Sequence, residues 1–230
     1  IDPWFLYHIQ YLSKMSRDNH LLDHKSLLLF KREGFSDQNI AKKYNKTELD
    51  IKLLRKKHNI LPTFKSVDTC SAEFKAKTPY CYSTYEIENE IQALSGKKIM
   101  ILGNGPTRIG QGVEFDYCCV QAVLGLKDIG YKTIMYNCNP ETVSTDFDIS
   151  DRLYFEPLTF EHVMNVIDFE KPDGVLVQFG GQTPLNIANK LRENNVPIIG
   201  TDPKYIDLAE NRQKFGEVLS KLNIPAPNWG

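Results

Sequence analysis

Past Gly96 the chain alternates short, continuous apolar runs with longer stretches in which apolar residues recur every three or four positions. Runs of the first kind predict strands buried on both faces, and stretches of the second predict the helices that cover them. The expected order is a strand over 98–102, a helix over about 114–128, strands over 132–137 and 152–155, and a helix over about 160–170. A strand over 174–179, a helix over about 184–194 and a strand over 197–199 follow. Parallel strands joined by helices of that length predict an α/β fold built on a doubly wound parallel sheet. A further helix is expected from Ala209 through Lys221, before Ile224-Pro-Ala-Pro breaks away.

Residues 1 to about 60 carry the helical period alone, in Trp4, Phe5, Tyr7, His8, Tyr11 and Leu12 and again in Leu49, Leu53 and Leu54. An all-α region therefore precedes the sheet. Within 34–55, Ser36 is placed to cap one helix and Thr47 a second, with Asp50 in its first turn. Residues 63–96 have poor periodicity, a brief helical hint at Ala72-Glu-Phe, and a group of tyrosines at 80, 82 and 85. Aromatic residues at that density predict a packed connector rather than a free linker.

Composition narrows the class without naming a function. With 230 residues, 41% of them hydrophobic, there is apolar material for one good core and a smaller second one. No apolar run approaches the roughly 20 residues that span a bilayer, and Ile1-Asp-Pro-Trp-Phe has none of the layout of a signal peptide, so a cytoplasmic setting is expected. Charge divides the chain. Residues 1–65 hold 13 Lys and Arg against 7 Asp and Glu, while the remainder holds 15 against 22. Five cysteines, at 70, 81, 118, 119 and 138, make no CxxC pair, and the five histidines stand at no ligand spacing. Buried free thiols and packing or surface histidines are expected, with no metal site.

The candidate chemistry lies in three loops that a doubly wound sheet places at its carboxyl edge, where such folds bind ligands. The first follows the strand at 98–102 and contains Gly103, Gly105, Arg108, Gly110 and Gly112 before Glu114 opens a helix. Glycines crowded there let backbone N–H groups approach an anion or another chain segment. The second runs Asn137-Cys-Asn-Pro-Glu141-Thr-Val-Ser-Thr-Asp146, and the third Gln178-Phe-Gly-Gly-Gln-Thr-Pro184. A dinucleotide site is disfavoured, because four residues rather than two separate Gly105 from the next glycine, and Asn137 and Asn139 stand where a ribose-binding acid belongs. No glycine precedes Lys-Ser or Lys-Thr in the arrangement of a nucleoside-triphosphate loop.

These three motifs, from Lys98 to Cys119, from Asn139 to Asp146 and from Gln178 to Pro184, closely resemble the large chain of carbamoyl phosphate synthetases. The resemblance extends upstream through Tyr82-Ser-Thr-Tyr-Glu and Asp68-Thr-Cys-Ser-Ala-Glu-Phe to Ile1-Asp-Pro-Trp-Phe. It implies a section from the middle of a longer enzyme. Residues 1–90 would be the later part of a helical oligomerisation domain with its connector, 97–205 a Rossmann-like pre-ATP-grasp domain, and 206–230 the start of a truncated ATP-grasp domain. The family makes carbamoyl phosphate, for pyrimidine or arginine synthesis, from bicarbonate, ammonia drawn from glutamine, and two ATP. Mg-ATP, with Mg or Mn and with K as a further ion, is implied for the intact enzyme and no cofactor or catalytic residue for this section, which is expected to be inactive alone. Implied partners are a glutaminase subunit or domain, the remaining domains of the large chain, and a second copy through self-association, with no nucleic acid and no membrane. Gly112, Glu114 and Glu141 match positions lining the family's carbamate tunnel. Glycine leaves bore where a side chain would plug it, a carboxylate can accept from carbamate's NH2, and Arg108 could attract the anion or order the loop.

Plainer roles compete for the same residues. The glycines suit close strand-to-helix packing, Glu114 and Asp116 suit the positive end of a helix dipole, and Glu141 suits a solvated turn. A different class also fits the outline. Phe35 to Lys57 has the layout of a helix-turn-helix, with Lys42, Lys43, Lys46, Lys52, Arg55, Lys56 and Lys57 available to phosphates, so a DNA-binding regulator with a Rossmann-type sensor is the alternative.

Overall fold

The computed structural model describes residues 1–74, 76–106 and 114–227. Its contacts divide into two compact units, Ile1–Lys65 with Ser83–Ile91, and Ser66–Tyr82 with the chain from Gln92 onward.

The first unit is helical: α1 (Pro3–Arg17), α2 (His24–Arg32), α3 (Asp37–Lys43) and α4 (Glu48–Lys57). Local sequence sets each start. Asp2, Asp23, Ser36 and Thr47 all accept from backbone N–H groups of the turn they cap, and Thr47 with Asp50 forms a reciprocal capping box. Leu27, Phe30, Ile40, Ile51 and Ile60 make a small core with Met15 and Tyr85. Met15 is the buried residue of α1; the aromatic positions at its start lie in solvent, Trp4 61% and Tyr7 65% exposed. The helical period there is real, but it faces outward in this chain.

The core of the helical unit encloses charge. Asp37 accepts from Arg55 Nε at 2.8 Å and Nη2 at 2.7 Å, and Lys31 Nζ lies 3.3 Å away. All three side chains are buried. This overturns part of the nucleic-acid alternative: Arg55 spends its guanidinium on Asp37 and the Ile60 carbonyl, and Lys43 Nζ donates to the Ser16 and Asp18 carbonyls. Neither offers itself to a phosphate.

The sheet runs β1 (Thr63–Ser66), β2 (Tyr80–Thr84), β5 (Arg152–Phe155), β4 (Lys132–Asn137), β3 (Lys98–Leu102) and β6 (Gly174–Leu176) in spatial order. From β2 to β6 every neighbouring pair is parallel. The chain steps outward from β3 to β4 to β5, then returns to place β6 on the other flank of β3, and Ile198 bridges Val175 beyond it. That is a doubly wound sheet, with the topological switch between β3 and β6. The helices are α5 (Glu114–Asp128), α6 (Phe160–Glu170), α7 (Gln182–Glu193), α8 (Pro203–Glu210) and α9 (Arg212–Lys221).

Four local expectations need correction. The connector contributes strands β1 and β2, whose few residues are too short for periodicity to register. Ala72-Glu-Phe is not helical, because the Asp68 carboxylate takes the Cys70 and Ala72 N–H groups and Ser71 and Ala72 adopt positive φ. The strand at 174 ends at Leu176, and 197–199 contributes an isolated bridge. Helix α8 is an addition to the expected elements, although Asp202 caps it and Pro203 opens it.

A buried carboxylate also organises the second unit. Glu170, with no exposed surface, accepts from Arg152 Nη1 at 2.7 Å, the Tyr154 hydroxyl and the Leu94 N–H, and pairs with Lys98 Nζ at 3.4 Å. Arg152 reaches on to the Gln92 carbonyl at 2.6 Å, and Lys98 Nζ to that of Leu94. Burial, and then the adjacent carboxylate, push the Tyr154 phenol far above its usual value, so it stays a donor.

Candidate functional site at the carboxyl edge of the sheet

Three loops leave the carboxyl ends of β3, β4 and β6, and they interlock. Gly180 in the third loop lies against the backbone of the first: a Cβ there would stand 2.3 Å from the Gly103 carbonyl oxygen. No side chain fits that gap, so the two loops approach main chain to main chain. Gly181, at φ +70°, caps α7 beneath the Phe115 ring. Gly103 is equally confined on its other side, where a Cβ would meet Asn137 Cγ at 2.7 Å.

The second loop is tied at two points. Asn137, wholly buried at the end of β4, accepts from the Gly105 N–H at 3.0 Å and the Cys138 N–H at 2.9 Å. Further along, the Ser144 N–H points at both carboxylate oxygens of Asp116, at 3.3 and 3.2 Å. Between them Thr142 Oγ1 lies 3.3 Å from Ser144 Oγ and 3.2 Å from Thr145 Oγ1, in a hydroxyl cluster around a 3₁₀ turn at Val143–Thr145. The Glu141 N–H donates to Asn139 Oδ1 at 3.0 Å, an Asx turn that sets the loop after Pro140.

The residues expected to form the site fall into three groups. Gly103 and Gly105 are buried in the loop cluster, Gly105 with φ +71°. Glu114 and Glu141 are exposed, the first opening α5 and the second in the second loop. Arg108, Gly110 and Gly112 lie outside the described residues. The Asp116–Ser144 contact brings the elements carrying Glu114 and Glu141 together, since each acid stands two or three residues from one partner of that contact. Nothing in the sequence marks Asp116 and Asn137 as a pair of loop ties. By residue type and position Asp116 suits only the helix dipole, and Asn137 is only the wrong residue for a ribose.

The thiols and imidazoles offer little chemistry. Cys81 and Cys119 are buried and burial pushes both up to about 12, whereas Cys118 is exposed and Cys70 and Cys138 are half-buried, so buried thiols hold for two of five. His20 packs on Phe30 and His24 on His58, while His162 Nδ1 meets the Thr159 hydroxyl at 2.7 Å. Among the described residues no three His, Cys, Asp or Glu side chains gather to hold a metal ion.

Fold and loops define a doubly wound α/β domain with glycine-rich carboxyl-edge loops, accompanied by a separate helical unit. Residues 95–208 match the model of the carbamoyl phosphate synthase preATP-grasp domain, and residues 1–59 that of the carbamoyl-phosphate synthetase large chain oligomerisation domain. The chain belongs to the carbamoyl phosphate synthase large chain family. The carbamoyl phosphate synthase large chain of Archaeoglobus fulgidus is 53% identical over 100% of this chain and 22% of its own length. That of Pasteurella multocida is 54% identical over 99% of this chain and likewise 22% of its own. This chain thus spans about a fifth of the length of the curated relatives it matches. Among solved structures, N5-carboxyaminoimidazole ribonucleotide synthetase from Thermus thermophilus overlaps 56% of this chain and 31% of that one, at 19% identity and a TM-score of 0.40.

Proposed function

We propose that this chain is a section of a full-length carbamoyl phosphate synthetase, a ligase joining bicarbonate, ammonia from glutamine and ATP-derived phosphate. In this reading it supplies domain assembly and one stretch of the carbamate passage and holds no catalytic centre of its own. The observation carrying it is the Asp116–Ser144 contact, which sets the start of α5, with Glu114, beside the loop bearing Glu141. Two carboxylates beside a glycine-lined loop suit a path for a small polar intermediate, because they accept from its NH2 while glycine leaves room.

Residues 1–90 would serve as the later part of the oligomerisation domain and its connector, 97–205 as the pre-ATP-grasp domain and 206–230 as the opening of an ATP-grasp unit. Mg-ATP belongs on other parts of the full-length enzyme, as does the glutaminase. Self-association is assigned to the exposed aromatic face of α1, Trp4, Phe5 and Tyr7, of a type enriched at interfaces. A cytoplasmic setting accords with the absence, among the described residues, of any helix long and apolar enough to cross a membrane.

The test compares ATP hydrolysed with carbamoyl phosphate formed. In the full-length enzyme, Glu114→Ala with Glu141→Ala is expected to raise that ratio about fivefold, the equivalent of one lost hydrogen bond of ordinary strength. The 230-residue chain by itself is expected to turn over no ATP with bicarbonate or carbamate, since phosphoryl transfer needs positioned Mg-ATP, which this reading assigns to other parts of the full-length enzyme. An unchanged ratio in a folded double variant removes both acids from the passage, and sustained turnover by the isolated chain contradicts its passive role.

A further inference from the structure

Asn137 has no exposed surface and no part in the passage chemistry proposed above, yet its amide holds two of the three loops at once. Oδ1 accepts from Gly105 in the first loop and Cys138 in the second; Nδ2 donates to Asn104 Oδ1 at 3.1 Å and, more loosely, to Thr142 Oγ1 at 3.5 Å. The orientation of the amide is forced. Two backbone donors face one of its atoms, which must be oxygen, and the nitrogen is left for the side-chain acceptors. The missing side chain of Gly103 is what admits it, for a Cβ there would also lie 2.7 Å from Nδ2.

We propose that Asn137 is the positioning residue of the carbamate passage. It locks the first loop, which runs on toward Gly112 and Glu114, to the second, which carries Glu141, and it touches neither the intermediate nor the reacting atoms. Its consequence for turnover rests on the passage reading, whereas the lock is a property of the loops themselves. A carboxylate at this position keeps both backbone acceptances, with Asn104 turning its amide and Thr142 its hydroxyl to donate. A leucine of similar size leaves two buried N–H groups without a partner.

Two readouts on the full-length enzyme test this: hydrogen exchange at the Gly105 and Cys138 amides, and ATP hydrolysed per carbamoyl phosphate formed. Asn137→Leu is expected to speed exchange at both amides roughly tenfold and to raise the ratio by a similar factor, while Asn137→Asp restores both. Should the leucine variant not fold, Asn104→Ala removes the nearer of the two Nδ2 acceptors, leaves both Oδ1 bonds in place, and is expected to move both readouts about threefold. Unchanged exchange, or an Asp variant as loose as the Leu variant, overturns the lock. Loosened loops with an unchanged ratio, in an enzyme where the Glu114→Ala and Glu141→Ala pair does raise it, overturn the positioning role and leave the passage reading standing. If neither raises it, the passage reading falls and the positioning role with it.

Discussion

Each unit buries a carboxylate among cations, but Asp37 and Glu170 gather very different lengths of chain. Asp37 ties α3 to α4 and α2, with Arg55 18 residues away. Glu170 also has a partner 18 residues off in Arg152, but it reaches Lys98 across 72 residues and Leu94 across 76. The helical unit is therefore fixed by contacts that form with little loop closure, whereas the α/β unit depends on one that closes across β3, β4, β5 and α6. Similar chemistry is used once to finish a local motif and once to fasten the chain entering β3 onto the sheet.

The sharpest way to break this comparison is to remove each acid. Glu170→Ala strips the counter-charge from buried Lys98 and half-buried Arg152, and Asp37→Ala does the same to buried Arg55 and Lys31; losses of about 3–5 kcal/mol are expected for either. Hydrogen exchange should tell them apart. Glu170→Ala is expected to expose amides as far away as β3, and Asp37→Ala only those of α2, α3 and α4 and their turns. Loss confined to 152–170 in the Glu170 variant would mean that the long-range reach is not what the acid contributes.

A smaller effect separates this internal clasp from an edge one. Burial alone would raise the Asp151 carboxyl, but hydrogen bonds from Lys132 and from the Thr133 N–H and hydroxyl outweigh it and hold the group below its ordinary value of about 3.8. A depressed folded value means stability present in full above the unfolded value and lost as pH falls through the folded one. The gap in melting temperature between the parent chain and Asp151→Asn is therefore expected to be widest near neutral pH and to narrow below about pH 4. A gap that is constant with pH would assign the effect to hydrogen bonding rather than charge.

The mildest test marks the faces of α5. Alkylation of the native chain at about pH 8 is expected to modify Cys118 and spare Cys81 and Cys119, whose thiols are buried and pushed up to about 12. Equal labelling of Cys118 and Cys119 would place the helix face differently.

What can be read from sequence follows the same divide between local and distant causes. The caps at Ser36 and Thr47 and the start of α5 at Glu114 are legible because cap chemistry and period act within one or two turns. So is the succession of strands and helices from β3 to β6, since those strands carry near-continuous apolar runs. Strands β1 and β2 are not legible: their residues become strand-like only by pairing. Nor is the burial of Arg55, which reads as one more cation in a basic run until Asp37 folds against it. At the site, the glycine loops announce themselves, but the roles of Asn137 and Asp116 do not, because each depends on a partner about 30 residues away.

The passage itself is tested most directly at Gly112, a position outside the described residues. In the full-length enzyme Gly112→Phe is expected to lower carbamoyl phosphate formation far more than bicarbonate-dependent ATP hydrolysis, because only transfer is obstructed. Overpacking costs about 1–3 kcal/mol and lowers every partial reaction together, so the thermal midpoint is measured alongside. Unequal loss with a near-parental midpoint is the predicted result; normal carbamoyl phosphate output from a folded Gly112→Phe enzyme would contradict a passage at this edge of the sheet.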